Sequence, residues 1–266
     1  MNTVSLPSDL TLVQISDTHL MADATAQFVN TNPELYFLDV ISDIQTHYPY
    51  ADVLLHTGDL AQEAELITYQ RYLTHIQTLN MPYFQIPGNH DDADLFPFYQ
   101  QQDRAHAIDL GVWTLVLLNS AVTNQVDGWV DEVQLQQLEE ILAARPQQHV
   151  LIACHHHPFA MQSHWIDQHK LKNTQALTDV LARHPQVKLV LFGHVHQESY
   201  NTWQQIEFLS TPSTCVQFKP KSQDFALGTE APGYRVLQLK SDGSFSTQVH
   251  RLTHLQHNIN VEISGY

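Results

Sequence analysis

Short apolar runs alternate with longer amphipathic stretches through the first 192 residues of the chain. Runs of four to six residues rich in Leu, Val and Ile predict strands at Leu10–Ile15, Val53–His56, Tyr83–Ile86, Thr114–Leu118, Val150–Ala153 and Val187–Phe192. Between them, apolar residues recur at helical spacing and predict helices near Pro33–His47, Glu63–Asn80, Glu132–Ala143 and Asn173–His184. This alternation predicts an α/β fold with mostly parallel pairing early in the chain. After Phe192 the texture changes. Runs at Ser199–Trp203, Ile206–Ser210, Tyr234–Leu239 and Phe245–Arg251 read as antiparallel strands, with Asp242-Gly243 as a hairpin turn. Two stacked sheets with helices outside accommodate both halves, and the lack of repeats or linkers predicts one domain over 1–266. The segment Phe159–Asn173 fits neither period and is expected to be a lid, a substrate wall or an ordinary surface connection.

Length and composition narrow the class. A chain of 266 residues with 43% hydrophobic and 15% charged content can bury a sizeable core without disulfides. No stretch approaches the ~20 apolar residues of a membrane span. The opening MNTVSLPSDL lacks the features of a secretory signal. Together with only two cysteines, Cys154 and Cys215, this predicts a cytoplasmic enzyme. Twelve basic residues against 28 acidic ones give a formal net charge of −16. Such a chain is a poor partner for nucleic acid or an anionic membrane, because both need basic residues that displace counterions. A small anion can still bind where metal ions supply local positive charge.

The candidate chemistry lies just after the predicted strands. Asp17-Thr18-His19, Gly58-Asp59, Gly88-Asn89-His90-Asp91, His155-His156-His157-Pro158 and Gly193-His194-Val195-His196 each place metal-binding residue types at a strand's C-terminal end. Ligands so placed converge along one edge of an α/β sheet. Each segment alone occurs readily by chance; the ordered set does not.

The same segments carry a resemblance. The chain is similar to the calcineurin-like metallophosphoesterase superfamily, whose signature runs D-x-H, G-D, G-N-H-D, H-x-P, G-H-x-H. Within it, the chain resembles the bacterial class III 3′,5′-cyclic-AMP phosphodiesterases through ISDTHL (15–20), TGDLAQ (57–62), PGNHD (87–91) and HHHP (155–158). WIDQH (165–169), GHVHQE (193–198) and TPSTCVQFKP (211–220) extend the match. The resemblance implies a four-layer αββα sandwich of two mixed sheets and two metal ions. One ion would be held by Asp17, His19, Asp59 and His196, the other by Asp59, Asn89, His156 and His194, with Asp59 shared. Iron and manganese are the metals the family implies, and the mixed N/O donor set also suits zinc or cobalt. His155 and His157 then pack around the ligands.

The implied reaction is hydrolysis of 3′,5′-cyclic AMP to 5′-AMP by in-line attack of a metal-bridging hydroxide. Two metals ~3.5–4 Å apart would activate water and clamp the phosphate. His90 would protonate the leaving oxygen, and His19, Asp59, Asn89, His90 and His196 would contact phosphate. Trp165, His169 and Phe218 are candidates for the base by resemblance, each with packing as the plainer role. Alternatives are a broader diesterase acting on 2′,3′-cyclic nucleotides or other small diesters, and an inactive interaction module on the same scaffold. A protein phosphatase would carry G-D-x-V-D-R-G where this chain has Gly58-Asp59-Leu60-Ala61-Gln62-Glu63. Trp113 and Trp129 are expected to pack, and His47, His75, His184, His250, His254 and His257 to be solvated.

Overall fold

The computed structural model describes residues 9–97, 104–253 and 262, so residues 1–8, His254 and His257 lie outside the described part. One sheet holds β1 (Leu10–Ile15), β2 (Val53–His56), β3 (Tyr83–Gln85), β10 (Gly233–Leu239) and β11 (Phe245–Arg251) in the order β11-β10-β1-β2-β3. The other holds β4 (His106–Leu110), β5 (Trp113–Leu117), β6 (His149–Ala153), β7 (Val187–Phe192), β8 (Ser199–Trp203) and β9 (Ile206–Ser210) in the order β4-β5-β6-β7-β9-β8. Strand alternation decides which side chains go where. Leu10 and Leu12 of β1, with Leu115 and Leu117 of β5, fill the space between the sheets. Val13 and Ile15 turn the other way, onto Phe37, Val40 and Ile44 of helix α1 (Pro33–His47) and Tyr69, Tyr72 and Ile76 of α2 (Leu66–Gln77). On the opposite side, Val116, Ile152 and Val190 meet Leu138 and Leu142 of α3 (Glu132–Ala143), while Leu177 and Leu181 belong to α5 (Thr174–Leu181). The result is the expected αββα sandwich. Helix ends follow local chemistry: Asn32 accepts from Leu35 N and Asp131 from Gln134 N, each satisfying an N–H left open by the first turn.

The structure differs from the sequence expectation in three places. β4 was hidden in a short, partly polar run, and its hairpin to β5 turns at Gly111-Val112, where Gly111 has φ +73°. A short helix α4 (His164–Asp167) occupies the middle of the segment read as irregular. β9 pairs antiparallel with β8 but parallel with β7, because β8 lies at the edge and its hairpin folds β9 back between the two. No helix among the described residues is long and apolar enough to cross a membrane.

Arg235 of β10 ties the two sheets together. It is 3% exposed and donates through Nε and Nη2 to the Ser210 carbonyl at the end of β9, at 3.0 and 2.7 Å. Its Nη1 reaches Thr247 Oγ1 at 2.9 Å. Arg235→Met removes these donors and leaves a buried carbonyl short of partners. The expected cost in a denaturant titration is about 1–3 kcal/mol; an unchanged midpoint would show that the bonds are replaceable.

Candidate metal centre

The five ligand-bearing turns meet at one edge of the sandwich. Backbone bonds fasten them to one another: Asp17 N to Gly58 O at 2.9 Å, His19 N to Asp59 O at 3.1 Å, and Gly193 N to His155 O at 3.0 Å. Asp91, the fourth residue of its turn, accepts from Gly88 N, Leu60 N and Ala61 N, so its carboxylate pins two turns together. Asp17, His19, Asp59, His194 and His196 all have positive φ, between 46° and 67°. Left-handed backbone at non-glycine residues costs of order 1–3 kcal/mol and persists where surrounding bonds over-determine it, typically at functional sites. Gly88 is required by close approach, since a Cβ there would lie 2.1 Å from Asp59 Oδ1.

Asp17, His19, Asp59, His155, His156, His194 and His196 are buried, whereas Asn89 and His90 are half-buried at the mouth. His19 Nδ1 donates to Gln62 Oε1 at 2.8 Å and His196 Nδ1 donates to the Val216 carbonyl at 2.8 Å. Those acceptors fix both tautomers, so each ring turns an Nε2 lone pair inward. The two Nε2 atoms stand 3.1 Å apart, and His196 Nε2 is 3.3 Å from Asp17 Oδ1. Lone pairs and carboxylates facing one another repel unless a cation lies among them. A histidine whose outer N–H is held by a carbonyl while its inner nitrogen points at carboxylates is the usual arrangement of a metal ligand. Burial, outweighing the pull of Asp59, drives the His19 pKa down to about 3, which keeps the ring neutral and able to coordinate.

The second half of the cluster is built from the β6 end. His155 Nδ1 donates to the Thr57 carbonyl at 2.7 Å, and its Nε2 lies 3.2 Å from Asn89 Oδ1 and 3.3 Å from Asp59 Oδ2. His194 Nε2 is buried with no hydrogen-bond partner among the described residues. Burial, reinforced by His156 and His155, holds its pKa well below the usual imidazole value. Burial opposes a proton on His155 too, but Asp59 and Asp17 outweigh it and raise the pKa to about 9. A cation bound between these carboxylates would balance the same charge and leave the ring neutral. Ligand atoms of Asp17, Asp59 and His155 all lie within 4.8 Å of one another, as do those of Asp17, His19 and His196. Asp59 belongs to both halves. The donor set therefore fits two cations sharing one carboxylate.

At the end of β6 both His155 and His156 stand beside His194, with the ligand atoms of all three within 4.8 Å of one another. His156 has both ring nitrogens occupied: Ser120 Oγ–H donates to Nδ1 at 2.8 Å, and Nε2 donates to the Val126 carbonyl at 3.0 Å. It stays close to His155 and His194 but is already satisfied, while His155 turns its inner nitrogen onto Asp59 and Asn89. Asp17, His19, Asp59, Asn89, His194 and His196 are brought together at the same edge. His90 joins them, its ring nitrogen within 4.8 Å of ligand atoms of His19 and Asp59, and its backbone N–H donates to Asp59 Oδ1 at 2.9 Å.

The residues around the cluster take varied roles. Phe218 is 1% exposed and stacks on His196 with ring centroids 3.9 Å apart, the packing role that is the plainer expectation. Trp165 meets Phe218 and Phe225 edge-on, and with His169 it lines a cavity of about 460 Å³ that also borders Asn89, His90 and His194. Trp113 is buried as expected, but Trp129 is 49% exposed and lines a neighbouring cavity. His47 is exposed, as read. His75 pairs with Glu34, His184 is buried against Glu139, and His250 bonds Tyr48 Oη at 2.5 Å, so these three are anchored and not simply solvated. Cys154 and Cys215 are free and buried, and burial pushes both thiols up to about 12. Sequence reasoning passed over Gln62, Ser120 and Val216; Gln62 and Val216 had a signal, their places in the TGDLAQ and TPSTCVQFKP segments, and Ser120 had none.

A two-sheet sandwich with paired Asp/His clusters at one edge is the architecture of a metal-dependent phosphoesterase. The chain belongs to the calcineurin-like phosphoesterase family, whose sequence pattern matches residues 10–198. It is 38% identical to a 3′,5′-cyclic adenosine monophosphate phosphodiesterase of Haemophilus influenzae, over 96% of this chain and 94% of that one. The same figures hold for the enzyme of that name from Escherichia coli strain K12. The Pseudomonas aeruginosa enzyme of that name is 34% identical over 100% of this chain and 98% of its own. Among solved structures, a dimetal phosphatase from Danio rerio shares the fold at TM-score 0.60 and 15% identity, covering 90% of this chain and 98% of its own.

Proposed function

We propose that the protein hydrolyses 3′,5′-cyclic AMP to 5′-AMP as a dinuclear-metal phosphodiesterase, working in the cytoplasm on a small nucleotide and not on nucleic acid or membrane. The observation that carries this reading is the convergence of the His19, His196 and His155 ring nitrogens on Asp17 and Asp59, beneath half-buried His90. Relatives that share more than a third of their residues with this chain bear that substrate in their names. In this assignment Asp17, His19, Asp59 and His196 hold one cation, and Asp59, Asn89, His155 and His194 hold the other. His155 replaces the His156 of the sequence expectation because its inner nitrogen is the one directed at Asp59. Iron or manganese suits the set, with zinc or cobalt able to substitute.

When bound, such cations supply Lewis acidity at the phosphoryl oxygens and acidify water at neutral pH. The chain's own residues do the rest. Asp59 and Asn89 set the floor on which the phosphate lies, and His19 and His196 flank it. His90 stands at the mouth, where it reaches the bond being broken and delivers a proton to the departing 3′-oxygen. The adenosine extends into the cavity walled by Trp165, His169 and Phe225, so the segment 159–173 acts as a substrate wall.

His90→Ala is expected to retain both metals and lose roughly 10²-fold or more in kcat, the contribution of a positioned general acid. Metal analysis beside the kinetics separates the roles; equal loss of metal and turnover would make His90 a ligand. Chromatography of the products tests the reaction itself. 5′-AMP as sole product fits departure of the 3′-oxygen, and 3′-AMP would reverse the assignment.

A further inference from the structure

Two cavities meet at Asn89 and His90. The one beside Trp165 measures about 460 Å³; the other, about 660 Å³, follows the turn after Pro87 and is walled by Trp129, Asn119 and Asp131. Asn89, His90 and Asn124 line both. Each volume lies in the ~300–1,000 Å³ range of small-molecule sites. A 3′,5′-cyclic diester carries both ester oxygens on one ribose, so its single nucleoside fills one cavity only. The second cavity, bordering the same two residues, exceeds what that substrate uses.

We propose that this centre also hydrolyses acyclic phosphodiesters with an organic arm on each ester oxygen, namely dinucleoside monophosphates. The 5′-linked nucleoside occupies the Trp165 cavity and the 3′-linked nucleoside the Trp129 cavity. The inference rests on the phosphodiesterase reading above for its chemistry and adds a second class of substrate.

The residues of the larger cavity choose the arm. Trp129 is 49% exposed, held by its backbone N–H on the Ser120 carbonyl at 2.9 Å, and offers an indole beside His90's cavity. Every nucleobase has a face that stacks on such a ring, which makes the site tolerant of base identity. Asn124 is exposed at the junction of the cavities, where an amide can meet a ribose or base edge. Asp92 and Asp131 add carboxylates to the same wall; each also receives backbone N–H groups, Asp94 and Leu95 on the first and Gln134 on the second. Their charge, in a chain of net −16, repels a further phosphate. The leaving arm is therefore a nucleoside without a 5′-phosphate. In the reaction a water oxygen bonds to phosphorus, the P–O3′ bond breaks, and His90 supplies the proton that completes the leaving 3′-hydroxyl. Water is the only co-reactant, and the products are a nucleoside and a nucleoside 5′-monophosphate.

The test uses the manganese-loaded full chain with 2′-deoxyadenylyl-(3′→5′)-2′-deoxyadenosine, whose missing 2′-hydroxyl prevents self-cleavage, and with 3′,5′-cyclic AMP alongside. The expected products of the dinucleoside are 2′-deoxyadenosine and its 5′-monophosphate. Trp129→Ala should lower kcat/KM for the dinucleoside at least tenfold and alter that for cyclic AMP less than twofold, with Trp129→Phe restoring most of the loss. Hydrolysis of cyclic AMP without dinucleoside cleavage overturns this inference and leaves the proposed function standing. Dinucleoside cleavage without cyclic AMP hydrolysis upholds the second activity and overturns the first. A Trp129→Ala loss equal on both substrates overturns the division of arms between cavities. Failure on both substrates overturns the proposed function and this inference with it.

Discussion

Asp59→Asn lowers kcat/KM for cyclic AMP by more than the ~10²–10³-fold that loss of a single electrostatic contact costs, and the purified variant holds fewer than two metals. The physical reason is that one side chain serves both halves of the site. Asp59 Oδ2 is 3.3 Å from His155 Nε2 and 3.7 Å from His19 Nε2, while Oδ1 accepts the His90 N–H. Asparagine keeps the size but removes the negative charge that two neighbouring cations would share. Burial opposes ionisation of Asp59, but His155, His90 and His19 around it hold the carboxyl well below the usual range, so at neutral pH the site contains a carboxylate, and its replacement removes a full charge. Circular dichroism distinguishes a folded, metal-poor variant from a misfolded one. A variant that keeps two metals and wild-type turnover would refute the bridging role.

His155→Ala and His156→Ala are expected to diverge although the residues are neighbours. His155→Ala removes an inner nitrogen directed at Asp59 and Asn89, so one metal is lost and turnover falls to the level of the Asp59 variant. His156→Ala removes a ring that bonds Ser120 and Val126. Ser120 Oγ also accepts the backbone N–H groups of His155 and His156, so the turn loosens but keeps its ligand. A cost of about 10–100-fold is expected there, with two metals retained, as for residues that orient ligands. The opposite pattern, one metal in His156→Ala and two in His155→Ala, would return the assignment to His156.

That pair marks where sequence stopped informing. The turns at 17–19, 58–59, 88–91 and 193–196 were legible because glycine and ligand residue types follow apolar runs whose ends a two-residue period locates. In the run 155–157 chemistry is identical at each position, and only the rotation of the strand end decides which ring meets Asp59. β4 escaped because His106–Leu110 is a short edge strand, where solvent permits polar residues on both faces. Phe218 was visible as an aromatic residue in a resembling segment. That its face lies on His196 depends on the return of the chain after β9. Trp129 shows the converse: nothing in its neighbours announced that the loop before α3 leaves the indole at a cavity.

The most direct test of the account is steady-state hydrolysis by the manganese- or iron-loaded protein, with Asp59→Asn as the blank. The substrates are 3′,5′-cyclic AMP, 3′,5′-cyclic GMP, 2′,3′-cyclic AMP and an aryl phosphodiester. The expected result is the highest kcat/KM for 3′,5′-cyclic AMP, with 5′-AMP as product and no turnover in the blank. A tenfold or greater lead for the 2′,3′-cyclic or aryl substrate, about 1.4 kcal/mol in the transition state, would contradict it.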